Sequence, residues 1–253
     1  MPNFSLTGKR ALVTGASRGI GQAMAVALAE AGAQVICASS KAGGCTQTLE
    51  KINAIGNTEC VEMSADLSDM DSVAKLAEDA LAQWSGLDIL VNNGGTIYRS
   101  PAHEFPLEQW QHVLRVNLDS AFLLSQKIGK AMIQQKSGKI ISTASMLSYS
   151  GGITVPAYTA SKHAIAGMTK ALANEWGQHN IQVNAIAPGY IRTDNTQALQ
   201  DDEKRSTEIC ARIPAGRWGE TEDLQGALVF LASSASNYVN GHVLAVDGGF
   251  LAR

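Results

Sequence analysis

The stretch Arg10-Ala11-Leu12-Val13-Thr14-Gly15-Ala16-Ser17-Arg18-Gly19-Ile20-Gly21 sets the frame for the whole chain. Arg10–Thr14 is apolar and β-branched, which reads as a buried strand, and Arg18–Ala31 carries apolar residues at helical spacing. A glycine-rich turn between the two suits a phosphate. Gly15 permits the tight turn, Gly19 admits close backbone approach, and Gly21 lets helix and strand pack. Ser17, Arg18 and Ile20 complete the turn, where free amides and the positive end of the helix dipole converge. These glycines do not follow GxGxxG, and a bare cluster would also fit a structural turn. The setting, after an apolar strand and before an amphipathic helix, favours a dinucleotide site.

Outward from this unit, short β-rich runs alternate with helical patterns. The expected strands are Gln34–Ala38, Glu59–Met63, Asp88–Val91, Lys139–Ser142, Ile181–Ala187 and His242–Val246. Between them lie helical patterns at Thr46–Ala54, Asp69–Trp84, Leu107–Gln135, Ala157–Gly177 and Glu222–Ala232. Such alternation implies parallel pairing through right-handed crossovers. The expected architecture is one doubly wound α/β domain over residues 1–253, with a parallel sheet of about seven strands flanked by helices. Pro188–Ile213 is polar and lacks clear periodicity, and a loop of that length reads as a substrate lid.

Composition narrows the function. The 253 residues are 45% apolar with 24 glycines, and only 17% are charged, against roughly 25% in an average soluble chain. That excludes a disordered chain. A net charge of −3, with Lys and Arg scattered, offers nucleic acid no electrostatic hold. No run approaches the ~20 apolar residues of a membrane span. The amino terminus shows no secretion signal. Cys37, Cys45, Cys60 and Cys210 lack CxxC or zinc spacing, which suits reduced thiols in the cytoplasm and no metal site. The sparse charge predicts that other copies of the chain cover part of the surface, as in a homo-oligomer.

The second strand ends in Ser39, Ser40 and Lys41. An acidic residue there would grip a ribose diol and repel a 2′-phosphate; none is present. Arg18 with these residues supplies charge-assisted donors, which favours NADP(H) over NAD(H), although a plain polar loop also fits. Tyr158 and Lys162 are four apart at the head of a helix and share a face. Five tyrosines and eleven lysines placed at random give about 0.2 such pairs, so the pair is suggestive. A phenol titrates near pH 10, and an adjacent ammonium moves it toward the working range. Ser145 follows the fifth strand, at the sheet end that holds ligands in open α/β folds. Ser142 and Ser148 are rivals by type, and spacing does not choose among them. His103 and His112 lack triad partners and read as structural.

Taken together, Thr14–Gly21, Asn92-Asn93-Gly94, Asn117, Ser145, Tyr158/Lys162 and Pro188-Gly189 resemble the short-chain dehydrogenase/reductase family over essentially the whole chain. The resemblance implies a seven-stranded Rossmann-like domain, a nicotinamide cofactor and usually a tetramer. It implies catalytic roles for Asn117, Ser145, Tyr158 and Lys162: Tyr158 exchanges a proton with the substrate oxygen, Ser145 holds that oxygen, Lys162 binds the ribose and acidifies the phenol, and Asn117 supports a water-linked proton path. It also implies adenine contacts from Asp66 and Leu67, further cofactor contacts from Asn93 and Gly94, and a nicotinamide site lined by Pro188, Gly189, Ile191 and Thr193. The family's Asn-Asn-Ala-Gly reads Asn92-Asn93-Gly94-Gly95 here, a change expected to loosen the turn.

Within the family, Ala144–Ser148, Arg212–Gly219 and the tail Ala245–Arg253 resemble dehydrogenases of sugar acids such as 2-deoxy-D-gluconate and 2-dehydro-3-deoxy-D-gluconate. An anionic substrate calls for a guanidinium. Arg99 is the first candidate, then Arg192 and Arg217, with Met146 and Tyr190 as further substrate contacts; ordinary surface arginines are the alternative for all three. A 3-oxoacyl-thioester (acyl-carrier-protein) reductase is the competing enzyme reading. A non-catalytic nicotinamide-nucleotide sensor is the reading from another class.

Overall fold

The computed structural model describes residues 3–57 and 59–253. Seven strands form one parallel sheet in the order β3-β2-β1-β4-β5-β6-β7. They are β1 (Arg10–Thr14), β2 (Gln34–Ser39), β3 (Val61–Ser64), β4 (Ile89–Asn92), β5 (Gly138–Thr143), β6 (Ile181–Pro188) and β7 (Val243–Val246). The chain winds outward from β1 to β3, then crosses back to β4 beside β1. The crevice therefore opens where the strand order reverses, beyond the carboxyl ends of β1 and β4.

Helices cover both faces, so the inner strands are apolar throughout rather than alternating. Ala11 and Val13 of β1 point into one core, with Met24 and Leu28 of α1 (Gly19–Glu30) and Leu228 and Leu231 of α9 (Gln225–Ala232). Leu12 points into the other. That core holds Val73 and Leu76 of α3 (Met70–Gln83), Leu124 and Ile128 of α5 (Ser120–Gln135), and Leu172 and Trp176 of α6 (Pro156–Trp176). Among the described residues, no helix is long and apolar enough to cross a membrane.

Three expectations need correction. The pattern over Leu107–Gln135 is not one α-helix: α4 (Leu107–Leu114) passes through a π turn at Arg115–Asp119 into α5. The run at Glu222–Ala232 begins with a 3₁₀ turn at Thr221–Leu224. Residues 188–213 are not irregular. They hold a 3₁₀ turn at Asp194–Thr196 and two helices, α7 (Gln197–Gln200) and α8 (Glu203–Arg212). This segment rests on a separate small apolar cluster of Ile209, Ile213 and Trp218, with Tyr190, Leu199 and Phe250 packed against it.

Candidate active site

The loops after β1 and β4 are tied together at the crevice. Thr14 Oγ1 accepts from the amides of Asn93 (3.0 Å) and Gly94 (2.9 Å), and the Asn93 side chain donates to the carbonyl of Thr14 at 3.0 Å. Gly15 adopts φ +65°, and a Cβ on Gly21 would lie 2.1 Å from the Gly15 carbonyl oxygen. Only glycine fits at either position. The N-cap of α1, Arg18, makes no side-chain capping bond, and the first turn holds no acidic residue. Its free amides thus point at the cradle, the donor set a pyrophosphate needs. Ser17 and Ile20 are half-buried beside it.

At Gly94 the missing methyl leaves no void. A Cβ there would come 2.4 Å from Leu67 Cδ1, so the Leu67 side chain occupies the room of the missing methyl. Asp66, exposed next door, accepts from the amide and hydroxyl of Ser68, which hold its carboxyl below the usual range. At the end of β2, Ser39 is buried and its hydroxyl donates to the Lys41 carbonyl at 2.8 Å. Ser40 and Lys41 are exposed. Arg18 is also exposed and pairs with Asp194 at 3.5 Å.

The Tyr158–Lys162 pair forms as its spacing predicts. Both residues lie in the first turns of α6, whose N1 position is Pro156. Lys162 Nζ stands 5.4 Å from the Tyr158 ring centroid and donates to the Thr143 carbonyl. Lys162 is buried, and desolvation pulls its pKa down to about 8. Burial pushes the Tyr158 phenol up, while the Ser145 hydroxyl and then the Arg99 guanidinium pull it down. Burial outweighs both, so in the protein alone the phenol stays above its ordinary value.

The three serines separate by their partners. Ser148 Oγ donates to the Lys162 carbonyl at 2.7 Å and accepts from the Ser145 amide, which makes it scaffolding. Ser142 Oγ is buried on β5 without a hydrogen-bond partner among the described residues. Ser145, half-buried, caps the turn Met146–Ser148 and remains beside the phenol. Asn117 is buried in the π turn, a feature frequent at functional sites. Its side chain accepts from the Thr96 amide at 2.7 Å and donates to the Thr96 carbonyl at 2.9 Å and Ser161 Oγ at 3.1 Å. The amide is a strut between the β4 loop and α6, with both of its N–H donors used.

Across the cleft, Pro188 ends β6 and Gly189 packs against Asp247, where a Cβ would meet the Asp247 Cα at 2.6 Å. Ile191 is buried and bridges to Gly219, and Thr193 caps the turn Asp194–Thr196. Met146 is buried. Tyr190 stacks edge-on with Trp218 and Phe250. The arginines differ sharply. Arg217 grips Asp223 through two bonds of 2.7 and 2.9 Å, and Arg192 pairs with Glu220 at 3.2 Å. Arg99 is exposed and has no ion pair among the described residues. Spacing gives no hint of Thr96, Thr143, Ser161 or Asp194, because each matters through a partner distant in sequence.

These features align with known proteins over the full chain. A family model described as "Enoyl-(Acyl carrier protein) reductase" matches residues 15–251. The chain is 56% identical to a 2-dehydro-3-deoxy-D-gluconate 5-dehydrogenase of Bacillus subtilis (strain 168), over 99% of this chain and 97% of that one. It is 53% identical to a protein of the same name from Dickeya dadantii (strain 3937), over 99% and 98%. A crystal structure of a putative 2-deoxy-D-gluconate 3-dehydrogenase from Agrobacterium tumefaciens with bound NADP superposes at TM-score 0.94, with 49% identity and 99% of both chains covered. With the sheet order, the glycine cradle and the Tyr158–Lys162 pair in place, the chain belongs to the short-chain dehydrogenase/reductase family.

Proposed function

We propose that this protein is an NADP-dependent dehydrogenase that interconverts a secondary alcohol and a ketone on a sugar acid, such as 2-dehydro-3-deoxy-D-gluconate or 2-deoxy-D-gluconate. The observation that carries the reading is the phenol of Tyr158, flanked by the Ser145 hydroxyl and buried Lys162 at the mouth of the glycine-turn crevice. The relatives' names supply the substrate class. The cradle of Gly15, Gly19 and Gly21, with its open amides, suits a dinucleotide pyrophosphate. A bound nicotinamide supplies or accepts the hydride.

In reduction, Tyr158 gives its proton to the substrate oxygen as the carbonyl carbon gains the hydride; in oxidation, its phenolate takes the alcohol proton. Ser145 donates to the same oxygen and fixes it against the phenol. Lys162 binds the cofactor ribose and keeps positive charge near the phenolate. Asn117 holds the β4 loop against α6 and supports a proton path to solvent through water. Arg99, whose charge is felt at the phenol and which has no ion pair among the described residues, takes the substrate carboxylate. Arg192 and Arg217 are second choices because Glu220 and Asp223 already neutralise them. Met146 and Tyr190 line the substrate cleft, and residues 188–213 close over it as a lid.

NADP is preferred because no acid stands at the end of β2, where Ser40 and Lys41 are exposed, and Arg18 of the glycine turn is exposed as well. We infer a cytoplasmic homotetramer from the free cysteines, the low charge content and the family. A 3-oxoacyl-thioester reductase is the second reading, favoured by the likeness to a solved 3-oxoacyl (acyl-carrier-protein) reductase with NADP bound, 33% identical. Turnover of 2-dehydro-3-deoxy-D-gluconate beside an acetoacetyl thioester, each with both nicotinamides, tests the assignment. Faster turnover of the thioester would overturn it, and cofactor binding with no turnover of either would favour the sensor.

A further inference from the structure

Arg18 belongs to the glycine turn, yet its guanidinium reaches across the crevice. Its Nη1 stands 3.5 Å from Asp194 Oδ2, in the first turn of the segment proposed as lid. The Thr193 side chain lies over the turn as well: a Cβ on Gly19 would find Thr193 Cγ2 at 3.5 Å. Thr193 is held in turn by a capping box with Thr196, so Asp194 is delivered to this spot by an ordered turn. The lid thus touches the phosphate-binding turn through an ion pair, with the Thr193 side chain standing over Gly19.

We propose that Asp194 is a cofactor-specificity residue, which competes with the 2′-phosphate of NADP for Arg18 and so couples cofactor choice to the position of the lid. The inference rests on the assignment of NADP above. Arg18 and Asp194 side chains are each 73% exposed, so neither is confined by packing and the guanidinium is free to swing toward the end of β2. A 2′-phosphate beside Ser40 and Lys41 draws it there, because phosphate oxygens offer bidentate charge-assisted bonds stronger than one carboxylate contact. NAD has no such group and leaves the Arg18–Asp194 pair intact. The carboxylate therefore holds NADP affinity down and leaves NAD affinity alone. An exposed pair of this kind shifts binding only modestly, by about two- to fivefold.

Binding of NADP and of NAD to the full-length protein, measured by titration calorimetry for wild type, Asp194→Asn, Arg18→Gln and the double variant, tests this. Asp194→Asn is expected to tighten NADP about two- to fivefold, with NAD unchanged or weaker, and to have no effect on NADP in the Arg18→Gln background. Equal shifts for both cofactors, or an NADP affinity that stays the same or falls while wild type still prefers NADP, would overturn the competition alone. Wild-type protein that binds NAD and not NADP would overturn the 2′-phosphate reading, and this inference with it.

Discussion

The Asn117 carboxamide donates to Ser161 Oγ at 3.1 Å, and Ser161 immediately precedes Lys162. The π turn is thereby fastened to the helix that carries the proposed acid–base pair. Replacing Asn117 with Ala leaves the amide and carbonyl of Thr96 without partners. The expected cost is about 1–3 kcal/mol, seen as a lower Tm, together with a fall in kcat larger than any change in NADP Kd. An intact Tm with normal kcat would remove the strut.

Tyr158→Phe deletes the proton donor and keeps the ring. A positioned acid–base group contributes typically about 10²–10⁴-fold, so kcat is expected to fall by that order while NADP still binds. Steady-state turnover beside calorimetric binding checks both halves.

Ser145 and Arg99 lower the Tyr158 pKa against the upward push of burial. Alcohol oxidation needs the phenolate, so kcat/KM for oxidation rises with pH through this pKa. Ser145→Ala and Arg99→Ala remove an acidifying influence, and each is expected to move the rise to higher pH. A profile displaced toward lower pH would contradict the geometry.

Arg99→Ala is also expected to raise KM for sugar acids about tenfold or more, the scale of one charged hydrogen bond, with little effect on a neutral ketone. Equal changes for both substrates would leave Arg99 without its carboxylate.

Lys139 on β5 is a buried cation whose ammonium donates to Ser236 at 3.3 Å and Asn237 at 2.9 Å, with no carboxylate partner among the described residues. Desolvation lowers its pKa to about 8. Below that value Lys139 is charged in both folded and unfolded chains, and the folded state bears the full penalty. Between pH 8 and about 10.5 the folded chain sheds the proton first, so stability should rise with pH. Wild type is expected to gain stability relative to Lys139→Met across that window, measured by urea unfolding at fixed ionic strength.

Much of this architecture is legible before folding. Arg10–Thr14 and Thr46–Ala54 lie where period and β-branching put them, because local steric and hydrophobic patterns act within a few residues. The π turn was not legible. One extra residue barely disturbs an apolar stripe, and its ties to Thr96 and Ser161 span 21 and 44 residues. Helix α8 escaped notice for a different reason: of its residues only Ile209 is buried, so its stripe is too thin to register against a polar background.

Helical spacing alone placed Tyr158 and Lys162 on one face, since four residues make about one turn, and the strand–helix alternation alone required a parallel sheet. Which serine faces the phenol and which arginine is left unpaired were decided by the packed chain. Ser148 was drawn off by the Lys162 carbonyl, and Arg192 and Arg217 by Glu220 and Asp223. Those choices depend on groups brought together by strand order and helix docking, since a hydrogen bond forms only where both partners arrive within about 3 Å and an ion pair within about 4 Å.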